Sequence, residues 1–209
     1  MRVRELIDFP IDQAVIDTFD PPSGIQRGSQ RVNVVVAHRA VIADRVDQLE
    51  RTGLSVETID IAELAQGQVS KRLPDEDGHA LLALDEAEGL ITVYRADEQY
   101  LARTLGTGRA PLASDDTGRA GESILLEVQR SLDYFESTLA QSGLTTLYLF
   151  PPEEGVTTFA ATAQDNLASV DCHPFELGDV VRVEAEPDHS DATTLRAVGA
   201  ALRGVEGSG

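Results

Sequence analysis

The sequence predicts an α/β protein in two lobes: a small sheet-and-helix lobe over residues 1–62, then a larger lobe over 63–203 whose elements run βββαβαβα. A glycine-rich stretch, 204–209, is expected to form a flexible tail. Three observations predict this arrangement. The β-branched run Val32-Asn33-Val34-Val35-Val36-Ala37 is followed by apolar residues at helical spacing. Short polar turns separate three apolar runs between Ala80 and Leu105, the pattern of an antiparallel meander. Beyond it, Leu125, Val128, Leu132, Phe135 and Leu139 repeat at steps of three and four, the stripe of a long amphipathic helix.

Each element has its own local signal. Val15, Ile16 and Phe19 lie in a β-prone segment, 14–20, that stops at Asp20-Pro21-Pro22-Ser23-Gly24, a cluster of turn formers. A polar loop through Arg31 leads to the β-branched run, read as an interior strand. The next segment places Ile42, Val46 and Leu49 on one helical face, and Gly53 stands where a left-handed cap is expected. Residues 54–61 alternate apolar and polar side chains, as a half-buried strand should, and close the first lobe. A polar connector is expected over 66–78, followed by meander strands at 80–84, 90–95 and 100–105. Glu86-Ala87-Glu88-Gly89 and Ala96-Asp97-Glu98-Gln99 supply the two hairpin loops. A flexible stretch, 107–121, precedes the long helix, expected from about 122 to 141 with its apolar side on the meander. Residues 145–150 read as a strand ended by Pro151-Pro152, 157–167 as a short helix and 172–177 as a strand. Asp191 caps a last helix carrying Leu195, Val198 and Leu202 on one face.

Composition excludes several function classes. Across 209 residues, 17 Lys and Arg against 36 Asp and Glu give a formal net charge of −19. Nucleic-acid backbones and anionic lipid surfaces repel such a chain, because binding either depends on clustered cations. A hydrophobic share of 42% is that of an ordinary globular fold and argues against disorder throughout. One cysteine, Cys172, excludes an internal disulfide framework, and no apolar run approaches the roughly 20 residues of a spanning helix. The amino-terminal residues lack the apolar stretch of an export signal. The expectation is a protein of a reducing compartment with no nucleic-acid partner and no direct membrane insertion.

The order βββαβαβα resembles that of the ribonuclease H-like halves of actin-like ATPases, and order alone is fold-level analogy. Particular residues carry more. Glu5-Leu6-Ile7-Asp8-Phe9-Pro10-Ile11-Asp12-Gln13-Ala14-Val15-Ile16-Asp17 is one such segment. Val34-Val35-Val36-Ala37, leading through a helix to Thr52-Gly53-Leu54 and Ile59-Asp60-Ile61, is a second. With Glu127-Val128-Gln129-Arg130-Ser131-Leu132-Asp133-Tyr134-Phe135-Glu136-Ser137, they resemble the PilM-like family of actin-fold pilus assembly proteins. The similarity runs over nearly the whole chain, and the Arg-Ser-Leu-Asp-Tyr piece is its most specific part. It implies a ribonuclease H-like lobe, one actin-like ATPase half, preceded by a small α/β lobe of the inserted, SHS2-like kind. Family members carry a further lobe with the first phosphate loop ahead of that insertion. The resemblance therefore implies a truncated chain, or a split or degenerate homologue, with half of the nucleotide cleft missing.

The same resemblance places the second phosphate loop at Ala83-Leu84-Asp85-Glu86-Ala87-Glu88-Gly89 and the adenosine turn at Phe150-Pro151-Pro152-Glu153-Glu154-Gly155. A phosphate cradle needs free backbone N–H groups and permissive glycines. Here Asp85, Glu86 and Glu88 would repel phosphate unless magnesium screened them, and only Gly89 is permissive. Proline offers no N–H, and Glu153 and Glu154 stand before Gly155. Asp85, Glu86, Gly89, Glu153 and Gly155 are thus degenerate nucleotide-loop positions, and the first of these turns is read as a solvated hairpin. Gly106-Thr107-Gly108 is a weak glycine match read as a turn. His38, His79, His173 and His189 are scattered, so no metal site is expected. Cys172 and His173 point to opposite faces of a strand and cannot pair as nucleophile and base. The carboxylate pairs Asp115-Asp116 and Glu153-Glu154 read as solvated charge. No catalytic residue and no cofactor is expected.

What the resemblance implies is a non-catalytic cytoplasmic scaffold of the type IV or MSHA pilus assembly platform. Its partner would be the cytoplasmic tail of an inner-membrane pilus protein, holding it peripherally at that membrane, with homo-oligomer formation left open. Two alternatives stand beside it. One is a residual actin-like ATPase, using ATP with magnesium and completed by a missing lobe or another chain. The other is a dimer-forming structural protein unrelated to pili.

Overall fold

The computed structural model describes residues 3–25, 32–74, 77–114, 118–139, 141–184 and 190–206. The chain divides into two compact units, Met1–Ile59 and Asp60–Gly209.

In the first unit, β1 (Ala14–Phe19) pairs antiparallel with β2 (Asn33–His38), setting Ala14 opposite His38 and Ile16 opposite Val36. The helix α1 (Arg39–Glu50) follows at once, because the His38 side chain accepts the Ala40 N–H at 3.2 Å and caps it. The Gly53 N–H donates to the Glu50 carbonyl at 2.9 Å with φ +84°, the left-handed cap that the sequence predicts. The strand expected over 54–61 does not form. Its alternation has no ladder to join, and Leu54 and Ile59 remain exposed. Alternation records a two-faced segment; a strand also needs a neighbour for its N–H and C=O groups.

The second unit is a three-layer lobe. Its sheet contains β3 (His79–Leu84), β4 (Gly89–Arg95), β5 (Glu98–Leu105), β6 (Thr146–Phe150) and β7 (Asp171–Pro174), in the order β5-β4-β3-β6-β7. β3, β4 and β5 form the antiparallel meander, and β6 and β7 add in parallel beyond β3. The second hairpin loop is tighter than expected. Ala96 and Asp97 alone turn the chain, both at positive φ, as two-residue hairpins require.

Every residue of β3 is buried, and successive side chains enter opposite faces of the sheet. Ala80, Leu82 and Leu84 enter one apolar cluster with Ile91, Val93, Leu105, Leu147 and Leu149, covered by α4 (Arg119–Asp133) and α5 (Glu154–Asn166). Leu81 and Ala83 enter the other with Phe150 and Phe175, covered by α2 (Ala62–Ser70) and α6 (Ala192–Glu206). The long stripe packs on the sheet as predicted, although at its start Ile124 is fully buried and Leu125 only half-buried. α4 continues into a π-helical turn, Tyr134–Thr138, which buries Phe135 edge-on to Tyr100. The last helix starts where predicted, with Asp191 Oδ1 accepting the Thr194 N–H at 2.8 Å.

Three further expectations are corrected in this unit. The connector over 66–78 contains most of α2, whose inward residues Ala65, Gln66, Gly67, Val69 and Ser70 are too small or polar to show an apolar stripe. The stretch 107–121 holds the short helix α3 (Ala110–Ala113) and the start of α4, while its residues 115–117 lie outside the described residues. The tail expected at 204–209 is helical through Glu206; 207–209 lie outside the described residues. Among the described residues, no helix is long and apolar enough to cross a membrane.

α2 and α6 approach at backbone distance. A Cβ at Gly199 would lie 1.9 Å from the Ala65 carbonyl oxygen, and one at Gly67 would lie 1.6 Å from the Tyr94 hydroxyl. Gly199→Ala is therefore expected to destabilise by about 1 to 3 kcal/mol despite its gain in helix propensity. Gly178→Ala, where a Cβ meets nothing within 4 Å, should leave the denaturation midpoint unmoved. Leu132→Ala, cutting into the cluster under α4, should cost about 2 to 5 kcal/mol in the same denaturation measurement.

Candidate functional site

The parallel strands β3 and β6 end side by side, with Ala83 opposite Phe150. Ligands of open α/β sheets bind in the crevice outside such carboxyl ends. The β3–β4 turn and the entry to α5 both arise there, so the sequence-predicted positions Asp85, Glu86, Gly89, Glu153 and Gly155 gather at one end of the sheet.

Two arginines that sequence reasoning did not single out meet those carboxylates. Arg109 Nη1 donates to Glu153 at 2.8 and 3.0 Å, and its Nη2 is ion-paired with Glu86. Arg196, on α6, pairs with Asp85. The turn read as a solvated hairpin is thus tied down on both sides, although Glu86 still shows 69% of its side chain to solvent. No local spacing marks these partners. Arg109 lies 23 and 44 residues from its carboxylates, and Arg196 lies 111 from Asp85.

Backbone groups at the same place are also committed. The Asp85 N–H donates to the Glu88 carbonyl at 2.8 Å; the Arg109 and Ala110 N–H groups donate to the Asp85 and Glu86 carbonyls at 2.8 and 3.0 Å. Gly108 permits this approach, since a Cβ there would lie 2.4 Å from the Asp85 carbonyl oxygen. Gly106-Thr107-Gly108, read as a turn, is therefore the segment that brings Arg109 into the crevice. Gly155 sits under Leu112 of α3, with its Cβ position 3.3 Å from the Leu112 Cβ. Gly89 faces the Leu84 side chain, 2.8 Å from its Cβ position.

The electrostatics follow from this geometry. Asp85, Glu86 and Glu153 meet the guanidinium groups of Arg109 and Arg196. Asp191 is held below the usual carboxylate range, chiefly by the Thr194 backbone N–H and hydroxyl, with a smaller contribution from the positive charge of Arg109. This arrangement pairs charge with charge inside the protein. A phosphate cradle, by contrast, keeps N–H groups free.

The remaining candidates do not converge here. His38 caps α1, while His79 is buried between the Tyr94 and Tyr148 rings. His173 lies 6.1 Å from the Tyr148 ring, whereas Cys172 packs against the cluster under α4 and α5, so adjacent residues do point to opposite faces. Asp115-Asp116 and His189 lie outside the described residues. Among the described residues, no group of three or more His, Cys, Asp and Glu side chains could hold a metal ion.

No protein-family model matches the chain. No curated protein matches it either. Among solved structures, it is similar to a PilM-PilN type IV pilus biogenesis complex, with a TM-score of 0.66 and 22% identity over 97% of this chain and 70% of that one. It also matches a Bacteroides thetaiotaomicron protein of actin-like ATPase fold and unknown function, at TM-score 0.44 and 8% identity over 81% of this chain and 57% of that one. The apo psk41 parM protein follows at TM-score 0.41 and 8% identity, over 69% and 48%. The first likeness concerns the fold alone, and it agrees with the sheet order in giving an α/β chain with a ribonuclease H-like lobe.

Burial, with a further push from Asp171, raises the Cys172 thiol to about 11. Its thiolate is therefore scarce near neutrality, and alkylation by iodoacetamide should be slow there and climb with an inflection near pH 11. An inflection near the ordinary 9.0 would contradict the half-buried placement.

Proposed function

We propose that this chain is a non-catalytic scaffold component of a type IV pilus assembly platform that binds the cytoplasmic tail of an inner-membrane pilus protein. The supporting observation is the likeness to the PilM-PilN complex, which extends over 97% of this chain. The finer resemblance, in the Glu127-to-Ser137 helix and the small unit, is to MshI, the biogenesis protein of MSHA pili. A cytoplasmic location beside the inner membrane, reached through the partner, belongs to the same reading.

The absence of catalysis is proposed from the crevice. Its carboxylates are matched by Arg109 and Arg196, the Asp85, Arg109 and Ala110 N–H groups already have acceptors, and Pro151 and Pro152 offer none. A nucleotide would have to displace these pairs and bring its own negative charge beside Asp85, Glu86 and Glu153. A net charge of −19 favours a basic or neutral tail as partner, with association that weakens as salt screens the attraction.

Two titrations test this reading. Calorimetry with ATP and magnesium should give no binding heat; micromolar, magnesium-dependent binding that Asp85→Asn abolishes would overturn the scaffold-only reading. A basic tail peptide from the platform's membrane protein should bind and weaken with salt, whereas anionic vesicles alone should not sediment the chain. Strong attachment to bare vesicles would contradict recruitment through a protein partner.

A further inference from the structure

The segment 106–114 crosses the carboxyl ends of β3 and β6 and touches both walls of the crevice. On one wall the Arg109 and Ala110 N–H groups bond the carbonyls of the β3–β4 turn, and Arg109 pairs with Glu86. On the other, the same guanidinium takes both oxygens of Glu153, and Leu112 covers Gly155 at the start of α5. A planar guanidinium with donors on two edges suits this bridging, which a lysine ammonium cannot reproduce with the same geometry.

We propose that residues 106–114 form an ionic strap: Arg109 holds the two walls of the crevice together, and the strap lifts when its charges are screened or removed. This inference stands on the geometry and does not depend on the pilus reading. The charge arrangement makes the strap conditional. Asp85, Glu86 and Glu153 converge, and among the described residues Arg196 is the cation left to offset their repulsion without Arg109. The clasp is also open to salt on its outer side, since Glu86 is 69% and Glu153 39% exposed while Arg109 is 20% exposed. Exposed ion pairs contribute little singly, so the strap is held firmly enough to close and weakly enough to release. Such a strap opens in a local step while the sheet beneath stays folded.

The competing account holds the segment by Gly108 packing and backbone bonds alone, leaving Arg109 incidental. Hydrogen–deuterium exchange on the full chain separates the two. In Arg109→Gln the Arg109-position and Ala110 amides should exchange on the order of tenfold faster, since charged hydrogen bonds at a partly exposed site are lost. The wild type in high salt should move in the same direction, with the amides of β3 and β6 unchanged. Unchanged protection across 106–114 in Arg109→Gln would overturn the strap. Should that variant lose protection in β3 and β6 as well, Glu153→Gln decides: faster exchange confined to the strap supports it, and unchanged exchange overturns it.

Discussion

The second unit depends on one constraint: every residue of β3 is buried. A strand buried on both faces needs a layer over each, and the hairpin to β4 covers neither. Ala80, Leu82 and Leu84 require α4 and α5, whereas Leu81 and Ala83 require α2 and α6. The antiparallel meander on one side of β3 and the parallel strands on the other share that strand along its length, and the sheet has one place of functional interest. That place is where the carboxyl ends of β3 and β6 open side by side.

The two layers are built by different means. Under α4, large apolar side chains interlock, with Ile124, Val128 and Phe135 fully buried. Under α2, packing is close and partly polar. Gln66 lies fully buried and its Nε2 reaches the carbonyls of Leu81 and Leu90 and the Thr92 hydroxyl at 3.0 to 3.1 Å. The Arg203 pair with Asp60, at 2.5 Å, fastens the far end of α6 to the start of α2. The amide nitrogen of Gln66 is bonded there, while Gln66 Oε1 and Ser70 Oγ are buried without a hydrogen-bond partner among the described residues, and the glycines let the backbones approach.

The elements that declare themselves by periodicity were legible in the sequence. The meander, the α4 stripe and the Asp191 cap follow from side-chain patterns that burial and capping impose directly. α2 was not legible, because its buried face is made of Ala65, Gln66, Val69 and Ser70 and resembles a polar linker. Residues 54–61 misled in the opposite sense, since alternation without a neighbouring strand makes no ladder. At the crevice, Asp85, Glu86, Gly89, Glu153 and Gly155 could be placed from the strand order and the resemblance. The positive half of the site could not, since Arg109 and Arg196 reach it only through tertiary folding.

These observations lead to a lobe in which the carboxyl ends of β3 and β6 are spanned by the protein's own ion pairs. The most direct measurement is nitrogen-15 NMR of the arginine side chains in the full protein. Arg109 and Arg196, bridged to carboxylates and with their Nε atoms buried, should show hindered guanidinium rotation and resolved Nη–H signals. Averaged signals like those of freely solvated arginines at both positions would contradict a crevice filled from within.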